Sequence, residues 1–200
     1  MKMTSAQAPA RRIIQNALAI FGGEALSRLG NFAIAIIIAR QFGPAALGQY
    51  GYAVSIVSIL VLLPDLGLHL SATQRLASEP DDLPRVFWNL HWLKLGLVAG
   101  LGVFAVLFGE FAMHDHGRRL LFYALTVRMM LLTFSQAYMA ISKASEQMHL
   151  VTLQQSVGVA VSLVTIVVCI VMQASLLGFV GALVVGQLCE TWLGWTILRR

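Results

Sequence analysis

Long apolar stretches separated by short polar segments dominate the chain, and their lengths predict membrane-spanning helices. A helix needs about 20 predominantly apolar residues to cross the hydrocarbon core of a bilayer. Six stretches meet this requirement, and we predict them at residues 13–39, 45–78, 86–108, 120–141, 150–172 and 176–198. They follow a polar lead of residues 1–12. The pattern therefore predicts an all-α polytopic bundle of about six transmembrane helices.

Glycine and proline punctuate the first two spans. Gly43-Pro44 lies between them, and this dipeptide predicts a tight turn. Pro64 removes a backbone donor inside the second span and is expected to kink it. Asp65 follows, two residues before Gly67, where we expect the second helix to be broken. Asp65 is then either the cap of a restarted helix segment or a ligand for a coupling ion at the break.

The first span carries a charged pair. Glu24 and Arg28 are four residues apart with the Glu first, the order that favours pairing on a helix. With Ser27 and Asn31 they form one polar stripe on a face of the predicted helix. A charge at mid-bilayer costs roughly 2.5–3.5 kcal/mol on insertion scales. We therefore expect the stripe to line a polar interior, with Arg28 suited to bind phosphate or, alternatively, to pair internally with Glu24.

Three more charged residues within spans are candidates for function. Arg128 lies deep in the fourth span, where it is either a second cavity cation or a partner for an acid such as Glu24. Lys94 lies near the inner end of the third span, one turn after His91; it either faces the cavity or extends to the interface. Glu190 lies in the sixth span beside Gln187, where a carboxylate can couple H⁺ or Na⁺ transport or pair with a cation.

Composition supports a membrane protein and argues against two other classes. Hydrophobic residues make up 58% of the chain and charged residues 12%, with a mean hydropathy of +0.77, which excludes disorder. The net charge of +5 does not indicate nucleic acid binding, because the cations cluster at the ends of apolar stretches. With the N-terminus inside, eight loop and terminal Lys or Arg residues lie inside and three outside. We therefore expect both termini in the cytoplasm.

No motif for enzyme chemistry was found. The chain shows no nucleophile elbow, phosphate-binding glycine loop or paired-carboxylate arrangement, so we expect no enzymatic activity. His114-Asp115-His116 could suggest a metal, but adjacent residues do not share a helix face and no further ligands are near, so a solvated loop is favoured. We expect no bound metal or cofactor, and we interpret Cys169 and Cys189 as small core residues.

Four short motifs resemble polysaccharide flippases, the O-antigen and exopolysaccharide exporters of the multidrug/oligosaccharidyl-lipid/polysaccharide superfamily. The motifs are SRLG at 27–30, ARQFGP at 39–44, LGQY at 47–50 and DLGL at 65–68. The resemblance implies a bacterial inner-membrane protein that moves polyprenyl-diphosphate-linked oligosaccharide from the cytoplasmic to the periplasmic leaflet. It also implies a cationic cavity between two helical lobes, in which Arg28 matches the first-helix arginine of related lipid-precursor flippases.

The number of spans departs from the pattern that the resemblance implies. Such flippases have about twelve to fourteen spans in two lobes, and this chain resembles the N-terminal lobe. We expect either a fragment of a longer protein, which we favour, or a second copy that completes the cavity. Two other functions stay open: a cation-coupled drug antiporter of the same superfamily, and a non-transporting membrane partner of polysaccharide polymerases.

Overall fold

A computed structural model describes residues 7–65, 83–144 and 147–199. Within these ranges the chain forms five helices, each long and apolar enough to cross a membrane. They are α1 (Gln7–Asp65), α2 (Leu83–Ala112), α3 (His116–Ala144), α4 (Met148–Val171) and α5 (Leu176–Leu198). The predicted all-α membrane bundle is confirmed, and α2 to α5 correspond to the last four predicted spans.

α1 consists of two arms that meet at Gly43. The backbone there has φ 83° and ψ 173°, a conformation that is almost restricted to glycine. Pro44 disfavours the helical conformation in the residue before it, which reinforces the break. We call residues 7–42 the N-terminal arm and residues 44–65 the C-terminal arm. The predicted turn at Gly43-Pro44 is thus confirmed, and the two arms correspond to the first two predicted spans.

The kink expected at Pro64 stays a prediction, because Pro64 is only one residue from the end of the described helix. Helical backbone continues through Pro64 to Asp65, the last residue of α1. Membrane helices tolerate proline when local adjustments or neighbouring groups satisfy the freed backbone carbonyl. Gly67 and the remainder of the predicted second span lie outside the described residues. The break at Gly67 and the role of Asp65 therefore stay predictions.

Two apolar clusters join the helices in the half of the bundle that contains the α2–α3 loop at residues 113–115. The first packs the C-terminal arm against α2, α3 and α5, with Val57, Phe122 and Leu125 fully buried. The second packs the N-terminal arm against α4 and α5 around Ile38 and Ile166, also fully buried. Because lipid is as apolar as these side chains, close van der Waals packing stabilises the clusters.

The outside of the bundle is apolar. Phe21 on the N-terminal arm is 73% exposed, and large apolar side chains are exposed along the other helices as well. In the five candidate spans, only 11% to 39% of the most apolar window is buried within the chain. Soluble monomeric proteins do not leave so much contiguous apolar surface in water. The chain is therefore a multi-pass membrane protein.

All four tryptophans lie at the same end of the bundle. Trp88 and Trp92 are near the start of α2, and Trp192 and Trp195 are near the end of α5. The rings of Trp88 and Trp195 are 6.5 Å apart. Tryptophan concentrates at membrane–water interfaces, so this cluster marks one interface. We call this end the tryptophan end and the opposite one, at residues 113–115, the loop end; the positive charges predict that the tryptophan end is cytoplasmic.

Candidate functional site

A polar cavity of about 490 Å³ lies between the N-terminal arm of α1 and helices α3, α4 and α5. It occupies the half of the bundle nearer the tryptophan end. Its polar lining residues are Glu24, Ser27, Asn31, Arg128, Gln136, Lys143, Gln155, Ser162, Gln187 and Glu190. Two carboxylates and two cations thus share the cavity, so its described lining is balanced in charge rather than cationic. Polar groups grouped at this depth in a membrane bundle usually serve function.

The polar stripe of the N-terminal arm faces this cavity, except for Arg28. Glu24, Ser27 and Asn31 line it, at positions i, i+3 and i+7. Arg28 is exposed and is not among the lining residues. Four residues of α-helix turn about 40° past a full revolution, which places Arg28 at the edge of the face that Glu24 occupies. Within the described part of the chain, Glu24 and Arg28 form no ion pair with each other.

Arg128 on α3 lines the cavity with unused hydrogen-bonding capacity. Its Nη2 donates a long hydrogen bond of 3.5 Å to Oδ1 of Asn31. Its Nε is buried and has no hydrogen-bond partner among the described residues. Glu190 attracts the guanidinium electrostatically, yet no ion pair forms between the two. Arg128 and Lys143 are therefore the two described cations that line the cavity, and neither is neutralised by an ion pair with a described carboxylate.

Glu190 is held by a buried hydrogen-bond network between three helices. Ser135 Oγ on α3 donates to Glu190 Oε1 at 2.7 Å, and Gln154 Nε2 on α4 donates to Ser135 Oγ at 3.0 Å. Gln187 Nε2 lies near the carboxylate without a satisfied hydrogen bond in the described structure. The network positions one carboxylate in the cavity wall, where it can offset a cation or take up a proton.

Close packing of α4 and α5 brings Glu190 to the cavity. A Cβ atom added at Gly158 would lie 2.5 Å from Glu190 Oε2, so the carboxylate packs directly on this glycine. A Cβ atom at Gly186 would collide with Ser162 Oγ and lie 2.9 Å from the carbonyl oxygen of Gly158. Gly186 therefore has a packing role, because any side chain there would separate the two helices.

Lys94 is placed differently from Arg128. It is completely buried between α2 and α3, where its Nζ donates to the carbonyl oxygen of Thr133 at 3.0 Å. It is not among the residues that line the cavity, and its ammonium does not extend to the interface. His91, one turn before it, lies in an aromatic cluster with Trp195 and Tyr138. The hydrogen bond to the Thr133 carbonyl oxygen holds the Lys94 side chain inside the bundle.

Several lining residues were not singled out from the sequence. On α3 these are Gln136 and Lys143, which recur with Arg128 at helical spacing. On α4, Gln155 and Ser162 are seven residues apart and share a face. Each is unremarkable alone in an apolar helix. A search for polar residues at i, i+3, i+4 and i+7 in every span would have found them.

The described residues contain no group of three or more His, Cys, Asp or Glu side chains that could hold a metal. At the loop end, His116 Nδ1 lies 3.1 Å from Arg119 Nη2. Asp115 instead pairs with Arg118, at 3.3 Å between Oδ2 and Nε. The neighbouring side chains thus contact different groups, as expected for a polar loop.

The cavity and the membrane bundle agree with a family comparison. A family model described as polysaccharide biosynthesis protein matches residues 13–200. The match begins at the start of the first predicted span and covers all residues that line the cavity. No curated protein and no solved structure matches the chain. Because the family model covers nearly the whole chain, this membrane protein belongs to the polysaccharide biosynthesis protein family.

Proposed function

We propose that the chain is one lobe of a transporter that moves polyprenyl-diphosphate-linked oligosaccharide across the bacterial inner membrane. The movement is from the cytoplasmic to the periplasmic leaflet, for the synthesis of surface polysaccharide. The family, the apolar surface and the polar cavity are consistent with this role. The single observation that carries the proposal is Arg128, a cation in the cavity wall with a buried Nε that lacks a partner.

An arginine that lies in a cavity wall without an ion-pair partner favours an anionic ligand. A charge in a membrane helix costs roughly 2.5–3.5 kcal/mol on insertion scales, and an ion pair would offset part of that cost. Arg128 instead makes one long hydrogen bond, to Asn31, and no ion pair with a described carboxylate. The planar fork of guanidinium N–H groups matches the oxygens of a diphosphate. The sugars would occupy the wet cavity while the polyprenyl tail stays in lipid.

The two carboxylates of the cavity provide a mechanism for releasing the bound diphosphate. Glu190 attracts Arg128 from α5, and Glu24 lines the same cavity from α1. When the cavity changes its access side, a shift of Glu190 toward Arg128 would weaken the hold on the diphosphate. Lys143 in the lining and Arg28 at its edge add positive charge along the path. A second lobe or a second copy of this chain would complete the cavity, with polymerase or export proteins as further partners.

The test compares three variants in the native cell, each expressed in a strain that lacks the chromosomal gene. Arg128→Gln removes the charge, Arg128→Lys keeps it, and Arg40→Gln removes an exposed cation outside the cavity lining. The readout is lipid-linked glycan in the periplasmic leaflet, at matched protein levels in the membrane. Arg128→Gln should lower it roughly tenfold or more, because a hydrogen bond to a charged group contributes about 1.5–3 kcal/mol. Normal transport by Arg128→Gln would refute the proposal.

The Glu190 network favours a second candidate, cation-coupled export of a small molecule. A buried carboxylate with a hydroxyl donor suits binding and release of H⁺ or Na⁺. Here Glu190→Gln would abolish drug resistance conferred by the protein, while Arg128→Gln would not affect it. Drug-susceptibility assays on the deletion strain and both variants separate the two functions, since a glycan transporter would leave susceptibility unchanged.

A further inference from the structure

A second cavity, of about 650 Å³, lies at the loop end of the bundle. One wall is the C-terminal arm of α1, which contributes Gly48, Gln49 and Tyr52 from one helix face. The other wall comprises the end of α2, the loop at residues 113–115 and the start of α3. It shares no lining residue with the first cavity, and its size is within the range of about 300–1,000 Å³ that is usual for ligand pockets.

The lining combines an apolar base, an aromatic ring and a polar rim. Ala53, Met113 and Leu121 are buried at the base. The ring of Tyr52 is 65% exposed, so it is free to stack against a ligand. At Gly48 the absence of a side chain keeps the cavity open, because a Cβ atom added there would meet no atom within 4 Å.

The polar rim suits a neutral ligand rich in hydroxyl groups. Gln49, His114, Asp115 and Arg118 supply both donors and acceptors. Asp115 and Arg118 pair with each other at 3.3 Å, so the charged groups of the rim cancel. Gly117 N–H donates to Asp115 Oδ1 at 3.0 Å, which fixes the carboxylate at the rim. A balanced rim gives no preference to a phosphate or a metal ion, whereas a hydroxyl can donate to the carboxylate and accept from the guanidinium.

We propose that this second cavity binds a sugar ring of the transported glycan, with Tyr52 stacked on its C–H face and the rim bonded to its hydroxyls. The inference rests on the proposed function for the identity of the glycan. It adds a carbohydrate site at the loop end, separate from the cavity that contains Arg128. Because the loop end carries the charged residues Asp115, Arg118 and Arg119, water reaches the rim and the sugar keeps part of its hydration there.

Two glycine variants on the same helix arm give a matched test. Gly48→Met fills the second cavity, and Gly51→Met places the same side chain one turn away, outside the lining. Both positions offer open space to a Cβ atom, so neither change strains the helix. Tyr52→Leu removes the ring and keeps an apolar side chain. The full chain is purified in detergent, and equal melting temperatures establish that the variants are folded.

The probe is the glycan released from its own lipid carrier by mild acid, and saturation-transfer NMR measures its affinity. We expect wild type and Gly51→Met to bind the glycan equally well. Gly48→Met and Tyr52→Leu should lose about tenfold or more in affinity. Unchanged binding by Gly48→Met, no binding by wild type, or equal loss in Gly51→Met would overturn the site.

The probe lacks the diphosphate, so sugar binding without Arg128-dependent transport would refute only the proposed function. Arg128-dependent transport without sugar binding would refute only this inference.

Discussion

Ser135 Oγ donates a 2.7 Å hydrogen bond to Glu190 Oε1, and this contact joins α3 to α5 across the wall of the first cavity. The two residues are 55 positions apart in the chain. Gln154 on α4 donates to the same hydroxyl, so one serine connects three helices. The helices that form the cavity are thus held together by the polar groups that line it or lie behind it.

Ser135→Ala is therefore expected to destabilise the bundle. The change removes the donor to Glu190 and the acceptor for Gln154, and an interhelical hydrogen bond in a membrane contributes about 1–2 kcal/mol in model peptides. Unfolding from mixed micelles by increasing detergent denaturant measures the loss. Ser55→Ala is the control, because Ser55 Oγ bonds only to Gly51 O of its own helix arm and is exposed. Equal stability of the two variants would show that the network does not join the helices.

Gly186→Ala is expected to separate α4 from α5. The added methyl group would collide with Ser162 and the Gly158 carbonyl, and overpacking typically costs about 1–3 kcal/mol. The matched control is Gly181→Ala on the same helix, where a Cβ atom would meet nothing within 4 Å. Unfolding in mixed micelles should show Gly186→Ala destabilised and Gly181→Ala unchanged or slightly stabilised. The opposite order would contradict the close approach of the two helices.

Water in the first cavity can be tested with cysteine chemistry. In a background where Cys169 and Cys189 are replaced, Ser27→Cys lines the cavity, whereas Leu29→Cys replaces a side chain that is 65% exposed on the apolar outside of the bundle. Charged thiol reagents react with the thiolate, which forms readily only where water is present. Ser27→Cys should be labelled much faster than Leu29→Cys in intact membranes. Similar rates at both positions would mean that the cavity excludes water or that the helix face is assigned incorrectly.

Arg28→Ala is expected to lower glycan transport, but by less than Arg128→Gln. Arg28 is exposed and is not among the residues that line the cavity, so it is expected to contact the diphosphate less directly than Arg128. The comparison uses the same leaflet assay, with equal amounts of each variant in the membrane. A larger defect for Arg28→Ala than for Arg128→Gln would shift the diphosphate site toward the first helix, as the family resemblance implied.

The succession of apolar stretches determined the fold class, because a bilayer requires about 20 apolar residues for each helix and excludes unpaired backbone. Gly43-Pro44 likewise determined the break in α1, since the required backbone angles are accessible almost only to glycine. The helical spacing of Glu24, Ser27 and Asn31 indicated a polar face. The length of an apolar stretch, a glycine break and the polar face of a helix each depend only on residues close together in the chain, so the sequence alone predicts them.

Only the tertiary structure decided which polar groups share the cavity. The sequence favoured Arg28 over Arg128 as the cavity cation, yet rotation and packing of their helices place Arg128 in the lining and Arg28 outside it. Lys94 donates a hydrogen bond to the carbonyl oxygen of Thr133, and Glu190 accepts one from Ser135. Both contacts join distant parts of the chain. The direction in which a helix turns its polar residues depends on all its neighbours at once. The period of a single helix shows that a face exists, but not what that face contacts.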